Sequence, residues 1–266
     1  MKKMIIAAIA VIVSTFASFA EYKEVKDISY TKNTDDYSLS RCKLDVYYPD
    51  DMKDVPVVVW FHGGGLTGGE KHLPAELRNS GYAVVSVNYR LLPKAELGQV
   101  IDDAAAAVAW TLGNIADYNG DPKKVIVTGH SAGGYLTSMV GLDKKYLAKY
   151  GIDADSLYAL MPLSGQVITH FAQRQSKGMS ELQPLIDENA PLFHVRPDCP
   201  PYVIVTGDRE EELFGRHEEN AYMWRMMKLV GHPDVRIYEL DGHNHGDMVG
   251  PGLTIVKKNI DRLLHR

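Results

Sequence analysis

The sequence predicts an α/β fold, with a mostly parallel central sheet and helices on both of its faces. Short runs of consecutive apolar residues recur along the chain, and such runs are typical of strands that are covered on both faces. Segments with helical spacing alternate with these runs, which favours parallel pairing of the strands. The 266 residues show no internal repeat and no low-complexity linker, so we expect one large domain.

The strands are predicted from apolar runs and their boundaries. The segment 22–48 contains two extended stretches, and the second alternates in polarity and stops at Pro49, a pattern typical of a half-exposed strand near a sheet edge. The apolar run Val57–Phe61 is typical of a strand in the middle of a sheet. Further apolar runs predict strands at 83–89, 124–128, 157–163, 202–206 and 235–240.

The helices are predicted between these strands. A long alanine-rich segment at 97–118 ends at a turn formed by residues 119–122. Shorter helical segments follow at 131–140, 213–230 and 253–264. One segment, Gly165–Cys199, breaks the alternation because it is long, polar and interrupted by prolines. Long irregular segments in compact domains are often functional, so we expect this one to form a lid or substrate loop.

The first twenty residues have the pattern of a signal peptide. Lys2 and Lys3 precede the apolar run Met4–Val13, and small residues then lead to Ala20. We expect cleavage there, which gives a mature domain of residues 21–266 in the periplasm or outside the cell, without a stable membrane anchor. An uncleaved anchor is the alternative, although the apolar run is short for a bilayer span.

Charge and cysteine content limit the classes of partner. The formal net charge is −5 and the sequence has no basic patch of the kind that binds nucleic acid, so no such partner is expected. Cys42 and Cys199 lack the spacing and the histidine neighbours of a zinc site, so neither a metal nor another cofactor is expected. In an exported protein the two cysteines either pair or remain separate buried thiols.

Residues 128–134, Thr-Gly-His-Ser-Ala-Gly-Gly, follow a predicted buried strand and open a helix. This is the G-x-S-x-G pattern that places a nucleophilic serine, here Ser131, on a sharp strand-to-helix turn. Gly129 and Gly133 flank the serine because side chains there would clash with the adjacent elements. The N–H of Ala132 begins the helix and points toward a developing oxyanion. The alternative is a glycine-rich helix start capped by the serine.

A second motif, His62-Gly63-Gly64-Gly65, follows the predicted buried strand that ends at Phe61. An oxyanion hole needs exposed backbone N–H groups, and glycine allows the close approach and the unusual dihedral angles that expose them. A flexible turn is the alternative interpretation. Two motifs in this order, each after its own strand, favour an oxyanion loop.

Together with residues 88–91 and the pair Asp102-Asp103, these motifs resemble the hormone-sensitive-lipase-like and kynurenine-formamidase-like branches of the α/β-hydrolase superfamily. The similarity covers the chain after residue 20. It implies the α/β-hydrolase fold and hydrolysis by a serine nucleophile. It also implies that the backbone N–H groups of Gly64, Gly65 and Ala132 form the oxyanion hole.

The resemblance places the general base after the last strand, in residues 241–247. The family pattern is glycine, two variable residues and then His-Gly, which Gly242 and Gly246 match around His245. His245 is therefore the predicted base and His243 is not. A neutral imidazole at this position accepts the serine proton near neutral pH. A metal site formed by both histidines with Asp247 is an alternative.

The acid lies between the serine and the histidine in chain order, at the end of the strand 202–206. Relatives carry it three residues beyond the position of Gly207, which implies Glu210 as the carboxylate that orients His245. Asp208 is the alternative. Glu211 and Glu212 are predicted to belong to a solvated face.

The expected reaction is the hydrolysis of a carboxylic ester. Relatives often carry a helical cap built from residues ahead of the glycine loop, whereas the segment after residue 20 is short here and reads as strands. An open site favours short acyl chains, on small molecules or displayed on polysaccharide as acetyl or feruloyl esters. An amidase or arylformamidase is the second enzymatic hypothesis, and a non-catalytic binding domain on the same fold is the third.

Overall fold

The computed structural model describes residues 21–266. Eight strands form one sheet in the order β1-β2-β4-β3-β5-β6-β7-β8. The strands are β1 (Tyr22–Ser29), β2 (Lys43–Pro49), β3 (Val55–Phe61), β4 (Ala83–Val87), β5 (Gly120–His130), β6 (Ala159–Leu163), β7 (Tyr202–Gly207) and β8 (Val235–Leu240).

The sheet is mostly parallel. Strand β2 pairs antiparallel with β1 and with β4, whereas the pairs formed among β4, β3, β5, β6, β7 and β8 are all parallel. Every side chain of β4 and of β6 is buried, which explains their continuous apolar runs. The predicted fold class is confirmed.

The helices cover both faces of the sheet. Buried side chains of α2, α3 and α6 share one apolar core with the sheet, and those of α7 belong to a second core on the opposite face. No helix within residues 21–266 combines the length and the hydropathy that a bilayer crossing requires. The helices are α1 (Asp36–Arg41), α2 (Leu97–Asn114), α3 (Ala132–Leu142), α4 (Lys145–Ala148), α5 (Phe171–Ser176), α6 (Arg216–Leu229) and α7 (Val249–Leu264).

Some boundaries differ from the sequence prediction. The segment 22–48 is not two strands alone, because α1 lies between them with its N-terminus capped by the Asp35 side chain. Helix α6 starts later than predicted. Gly215, the residue before it, has a left-handed backbone conformation with φ 65°, so the helix cannot extend further toward the N-terminus. The predicted lid segment 165–199 contains α5 and a 3₁₀ turn at Pro191–His194.

Two other expectations concern the termini and the cysteines. The predicted signal peptide, residues 1–20, lies outside the described residues. Cys42 and Cys199 are separate buried thiols, so of the two alternatives for the cysteines the structure favours the unpaired one. Burial raises the pKa of each thiol to about 12, which keeps both protonated and unreactive at neutral pH.

Candidate active site

The carboxyl ends of five neighbouring parallel strands meet at one edge of the sheet. The glycine loop 63–65 follows β3 and Ser131 follows β5, while Ser164, Glu212 and His245 follow β6, β7 and β8. Ligand sites in open α/β sheets lie outside the carboxyl ends of the strands. Sheet order therefore brings together side chains that are far apart in the sequence.

Ser131 occupies a strained turn between β5 and α3. Its backbone has φ 56° and ψ −114°, a conformation that residues with a side chain rarely adopt. The flanking glycines make this turn possible. A Cβ on Gly133 would lie 2.0 Å from the carbonyl oxygen of Phe61, and one on Gly129 would lie 2.6 Å from the carbonyl carbon of Gly133. The geometry is that of the predicted nucleophile turn.

The side chains of Ser131 and His245 are in hydrogen-bonding contact. Ser131 Oγ lies 2.8 Å from His245 Nε2. On the other side of the ring, His245 Nδ1 lies 2.5 Å from Glu212 Oε1. When Nδ1 donates to the carboxylate, Nε2 is free to accept the serine proton. This arrangement matches a nucleophile, a base and an orienting acid.

The prediction of Glu210 as the acid is wrong, and so is the prediction that Glu212 is solvated. Glu210 is exposed, whereas the Glu212 side chain is 1% exposed and contacts His245. After β7 the chain makes a tight turn in which the N–H groups of Glu211 and Glu212 both donate to the Asp208 carbonyl. Because of this turn, the residue that faces His245 is Glu212, the fifth after Gly207, and not Glu210, the third.

Asp208, the alternative acid, holds this turn to the histidine loop. Its carboxylate accepts hydrogen bonds from the backbone N–H of Gly242 at 2.7 Å and of Glu210 at 2.8 Å. Its own N–H donates to the carbonyl of His243 at 2.8 Å. Asp208 therefore connects the loops that carry Glu212 and His245, and its half-buried carboxylate binds backbone N–H groups rather than the His245 ring.

Ser164, which the sequence analysis did not identify, is a further member of the site. Its hydroxyl donates to Glu212 Oε2 at 2.6 Å and lies 3.0 Å from His245 Nδ1. Ser164 is fully buried and has φ 44°, so its backbone is strained. A serine after a buried strand carries no motif of its own, which is why its position in space was needed to find it.

We expect Ser164→Ala to lower kcat/KM for an ester by roughly 10- to 100-fold, with most of the change in kcat. A hydrogen bond to a charged group contributes about 1.5–3 kcal/mol, and its loss leaves the Glu212 carboxylate less firmly oriented toward His245, with only the N–H groups of Gly207 and Leu213 as further donors. Steady-state kinetics on a short-chain aryl ester measures the effect. An unchanged kcat in a folded variant would contradict the orienting role.

Glu212 is ionised although it is buried. Burial by itself would raise the pKa of this carboxyl group, but the hydrogen bonds from His245 and Ser164 outweigh it and lower the pKa to about 2. An ionised carboxylate in this position is able to stabilise a positive charge on the His245 ring.

This depressed pKa also predicts a dependence of stability on pH. The unfolded carboxyl group titrates near 4.5, so its contribution to stability is fully present above that pH and is lost as the pH falls toward about 2. The difference in urea midpoint between the wild type and Glu212→Gln should therefore shrink between pH 6 and pH 3. A difference that grows in acid would contradict the assignment.

His130 connects the serine turn to the histidine loop. Its Nε2 lies 2.8 Å from the backbone carbonyl oxygen of His245, and the two rings lie 4.6 Å apart. Burial lowers the pKa of His130 to about 4, so the ring is neutral at physiological pH and Nε2 donates to that carbonyl. His130 therefore fixes the main chain of His245 beside Ser131.

The predicted oxyanion residues lie beside the serine. Gly64 and Gly65 have φ 117° and 65°, and a Cβ on Gly64 would lie 2.3 Å from the Gly68 carbonyl oxygen, so the loop requires glycine there. A Cβ on Gly63 would lie 3.5 Å from that of Ser131. Within residues 21–266, the N–H groups of Gly64, Gly65 and Ala132 donate to no protein acceptor. These donors are available to a substrate oxygen.

His62 orders this loop. Its Nδ1 lies 2.6 Å from the Gly63 carbonyl oxygen, and its ring stacks on Tyr89 with a centroid separation of 4.4 Å. Tyr89 also donates to the His62 carbonyl at 2.7 Å. Burial lowers the pKa of His62 to about 4, so this ring is neutral and serves to hold the loop.

The geometry does not support the alternative metal site formed by His243, His245 and Asp247. His243 is exposed and its Nδ1 lies 3.5 Å from Asp247 Oδ1, whereas His245 turns inward toward Ser131. In the described part of the chain, no group of three or more His, Cys, Asp or Glu side chains is placed to hold a metal ion.

The sheet order, the strained serine turn and the glycine loop are those of the α/β-hydrolase fold. A family model described as BD-FAE matches residues 44–157, which include the glycine loop and the serine turn. The predicted resemblance to α/β-hydrolases is confirmed.

Curated relatives are named as carboxylic ester hydrolases. The chain is 25% identical over 219 residues to the probable carboxylic ester hydrolase LipM of Mycobacterium tuberculosis, covering 72% of this chain and 50% of that protein. It is 42% identical over 108 residues to carboxylesterase NlhH of the same species, covering 38% of this chain and 34% of that protein. The chain thus spans at most about half the length of these relatives.

Solved structures agree with the fold over nearly the whole chain. A truncated carbohydrate esterase from gut microbiota superposes with a TM-score of 0.74 at 18% identity, covering 94% of this chain and 99% of that chain. Esterase B of Lactobacillus rhamnosis superposes with a TM-score of 0.72 at 19% identity, covering 91% of this chain and 86% of that chain. These similarities establish the fold.

Proposed function

We propose that this chain is a serine carboxylesterase that hydrolyses short-chain or carbohydrate-linked acyl esters. The observation that carries the proposal is the continuous contact from Ser131 Oγ through His245 to the Glu212 carboxylate, with separations of 2.8 and 2.5 Å. The names of the curated relatives support the reaction class. The unpaired N–H groups of the glycine loop support the stabilisation of an oxyanion.

In the first half of the reaction, His245 Nε2 accepts the proton of Ser131 as Oγ attacks the ester carbonyl carbon. The negative charge that develops on the carbonyl oxygen is stabilised by the N–H groups of Gly64, Gly65 and Ala132. Glu212 stabilises the imidazolium. The bond to the alcohol oxygen then breaks, and His245 gives its proton to the departing alcohol.

In the second half, water attacks the acyl carbon bound to Ser131 and transfers a proton to His245. The bond between Oγ and the acyl carbon breaks, the acid leaves, and the proton returns to Ser131. The net reaction is an ester and water giving an acid and an alcohol. This chain's own side chains and amides supply each of these steps.

A cavity with a mixed wall supports a substrate that carries hydroxyl groups. This cavity of about 490 Å³ is lined by Thr67, two residues after the glycine loop, and by both apolar and polar side chains. Sugars are bound by side chains that both donate and accept hydrogen bonds. The polar side chains of the wall are Thr67, Glu96, Gln173, Gln175, Ser176 and Asn189.

The segment ahead of the glycine loop also supports short acyl groups. Residues 21–61 form β1, α1, β2 and β3, so they contribute no helical cap over Ser131. We also propose that the segment 165–199 acts as a substrate loop. It supplies part of the cavity wall through α5 and Asn189.

The proposal is tested with a panel of esters and a serine variant. Purified protein should hydrolyse p-nitrophenyl acetate and butyrate faster than the laurate ester, and should release acetate or ferulate from acylated xylan. Ser131→Ala should abolish these activities. Ser156→Ala is the matched control, because Ser156 is exposed and its hydroxyl donates to the Asp153 carbonyl rather than to any residue of the site.

Two other functions are outcomes of the same test. Faster turnover of N-formylkynurenine than of any ester would favour an arylformamidase or amidase. Failure of a fluorophosphonate to label Ser131 in folded protein, together with absent turnover, would favour a non-catalytic binding domain. Preference for long-chain esters would contradict the open acyl site.

We propose further that the protein acts outside the cytoplasm, in the periplasm or as a secreted enzyme. The support is the signal-like pattern of residues 1–20. Mass spectrometry of protein recovered from the periplasm or medium should find a mature N-terminus at Glu21. Recovery of uncleaved chain in the membrane fraction would favour the alternative of an anchor.

A further inference from the structure

A buried arginine lies at the start of α6, next to the candidate active site. The side chain of Arg216, with a relative exposure of only 4% for the whole residue, forms part of the wall of a small cavity of about 80 Å³. A cavity of this size has room for a few water molecules and therefore for a short polar group. The other residues of its wall are Gln166, Phe171, Glu181, Leu213 and Phe214.

The donors of Arg216 are mostly unused. Its Nη1 donates to the Ser164 carbonyl at 2.6 Å, but its buried Nε has no hydrogen-bond partner among the described residues. Across residues 21–266, no carboxylate oxygen lies within ion-pair distance of this guanidinium. The charges of Glu219 and Glu212 act on Arg216 from a distance, but neither carboxylate pairs with its donors. A guanidinium has five N–H donors, and burying it with most of them unpaired is unfavourable unless a ligand completes its shell.

The other deeply buried arginines are satisfied. Arg90 makes two hydrogen bonds of 2.7 Å to the Asp103 carboxylate, a bidentate pair. Arg174 donates to the backbone carbonyl oxygens of Thr169, Glu181 and Gln183. Arg216 is therefore unlike these two, and its free donors need a different explanation.

The cavity is adjacent to the catalytic groups. Leu213 directly follows Glu212, and Gln166 lies two residues after Ser164. On the opposite wall, Phe171 Cζ would lie 3.0 Å from a Cβ on Gly65, so this ring packs against the oxyanion loop. A group in the cavity is thus within reach of an ester whose carbonyl lies at Ser131.

The nearby carboxylates make their hydrogen bonds to other groups. Glu219 accepts hydrogen bonds from Gln166 Nε2 at 3.3 Å and from the Val167 N–H at 3.2 Å; burial raises its pKa, and the charge of Arg216, which lies beyond ion-pair distance, opposes that rise. Glu181 is exposed on the outer wall and accepts a hydrogen bond from Gln175. Because Arg216 is also the first residue of α6, the positive end of the helix dipole adds to its charge.

We propose that Arg216 binds a free carboxylate on the substrate, so that the preferred esters carry a second, ionised acid group close to the scissile bond. This inference rests on the proposed esterase function and specifies its substrate class. Arginine matches a carboxylate in geometry and in charge, and the cavity is large enough only for a short chain that ends in such a group.

Two matched pairs of esters test the inference. p-Nitrophenyl hemisuccinate and p-nitrophenyl butyrate have equal chain length and differ by a carboxylate on the acid side. 4-Acetoxybenzoate and 4-acetoxybenzamide differ in the same way on the alcohol side. In at least one pair the wild type should show a kcat/KM for the charged ester higher by on the order of 10-fold, mainly through a lower KM.

The variants are Arg216→Gln and Arg216→Met, with Arg225→Gln as the matched control. Arg225 is exposed on the same helix, so its loss changes the net charge equally without touching the cavity. Either Arg216 variant should remove the preference for the charged ester. Arg225→Gln should retain it. The ratio between paired esters is the readout, so a general loss of activity through Ser164 does not imitate the effect.

A measurement on the wild type alone covers the case in which the Arg216 variants do not fold. Succinate should inhibit hydrolysis of p-nitrophenyl acetate competitively, and succinamide should inhibit at least 10-fold more weakly. Equal inhibition, or neutral esters preferred in both pairs, would overturn the inference while leaving the esterase proposal intact. Absence of turnover with all four esters would overturn the esterase proposal itself.

Discussion

Glu212→Ala should lower kcat/KM for p-nitrophenyl acetate by roughly 10³- to 10⁴-fold, mostly through kcat. Loss of the acid in a Ser-His-acid site has an effect of this order, because the imidazole loses both its orientation and the charge that stabilises its protonated form. Here the carboxylate is nearly inaccessible to solvent and lies 2.5 Å from His245, so water cannot easily replace it. Initial rates under saturating and subsaturating ester give kcat and KM separately.

Glu210→Ala is the control for this prediction. Glu210 is exposed and two residues away in the same turn, so its removal deletes the same chemical group without touching His245. Its kcat/KM should stay within about 2-fold of the wild type, as expected for surface substitutions away from special features. A large loss in Glu210→Ala with little loss in Glu212→Ala would restore the prediction made from the sequence.

Gly64→Ala should lower kcat by roughly 10²- to 10³-fold with a small change in thermal stability. A Cβ at this position would lie 2.3 Å from the Gly68 carbonyl oxygen, and φ 117° is unfavourable for alanine. The loop must then shift, which moves its N–H groups away from the oxyanion, and loss of one such donor costs about this factor. Kinetics and a melting curve on the same preparation separate the two effects.

Gly113→Ala serves as the matched control. Gly113 lies in α2, is exposed, and has open space where a Cβ would be added. Alanine in a helix is more favourable than glycine by up to about 1 kcal/mol, so this variant should melt slightly higher and keep its activity. Unchanged kcat in Gly64→Ala would show that the glycine loop does not hold the oxyanion.

The parts of the site that the sequence predicted are those set by local chain geometry. The turn at Ser131 requires glycine on both sides, and the loop after β3 requires glycine at Gly64. Each requirement appears as a motif of neighbouring residues in the sequence. His245 was predicted from the family resemblance, through the pattern of glycines on either side of it. The mostly parallel sheet was predicted from the alternation of apolar runs and helical segments.

The acidic residue that contacts His245 could not be predicted from a local motif. Residues 210–212 are three consecutive glutamates, and only the turn that begins at Asp208 decides which of them faces His245. Ser164 and Arg216 were missed for a related reason. Each acts through a contact with a residue at least 48 positions away, Glu212 and Ser164 respectively, and no local pattern records such a contact.

The hydrogen bonds by which Asp208 connects the Glu212 turn to the His245 loop have a consequence for how these residues move. Strand β8 lies at one edge of the sheet and has a neighbouring strand on one side only, so the loop that carries His245 follows a strand with less support than the inner ones. Because Asp208 ties that loop to the turn carrying Glu212, we expect Glu212 and His245 to shift together if this edge opens. Their mutual alignment is then retained when the edge closes again.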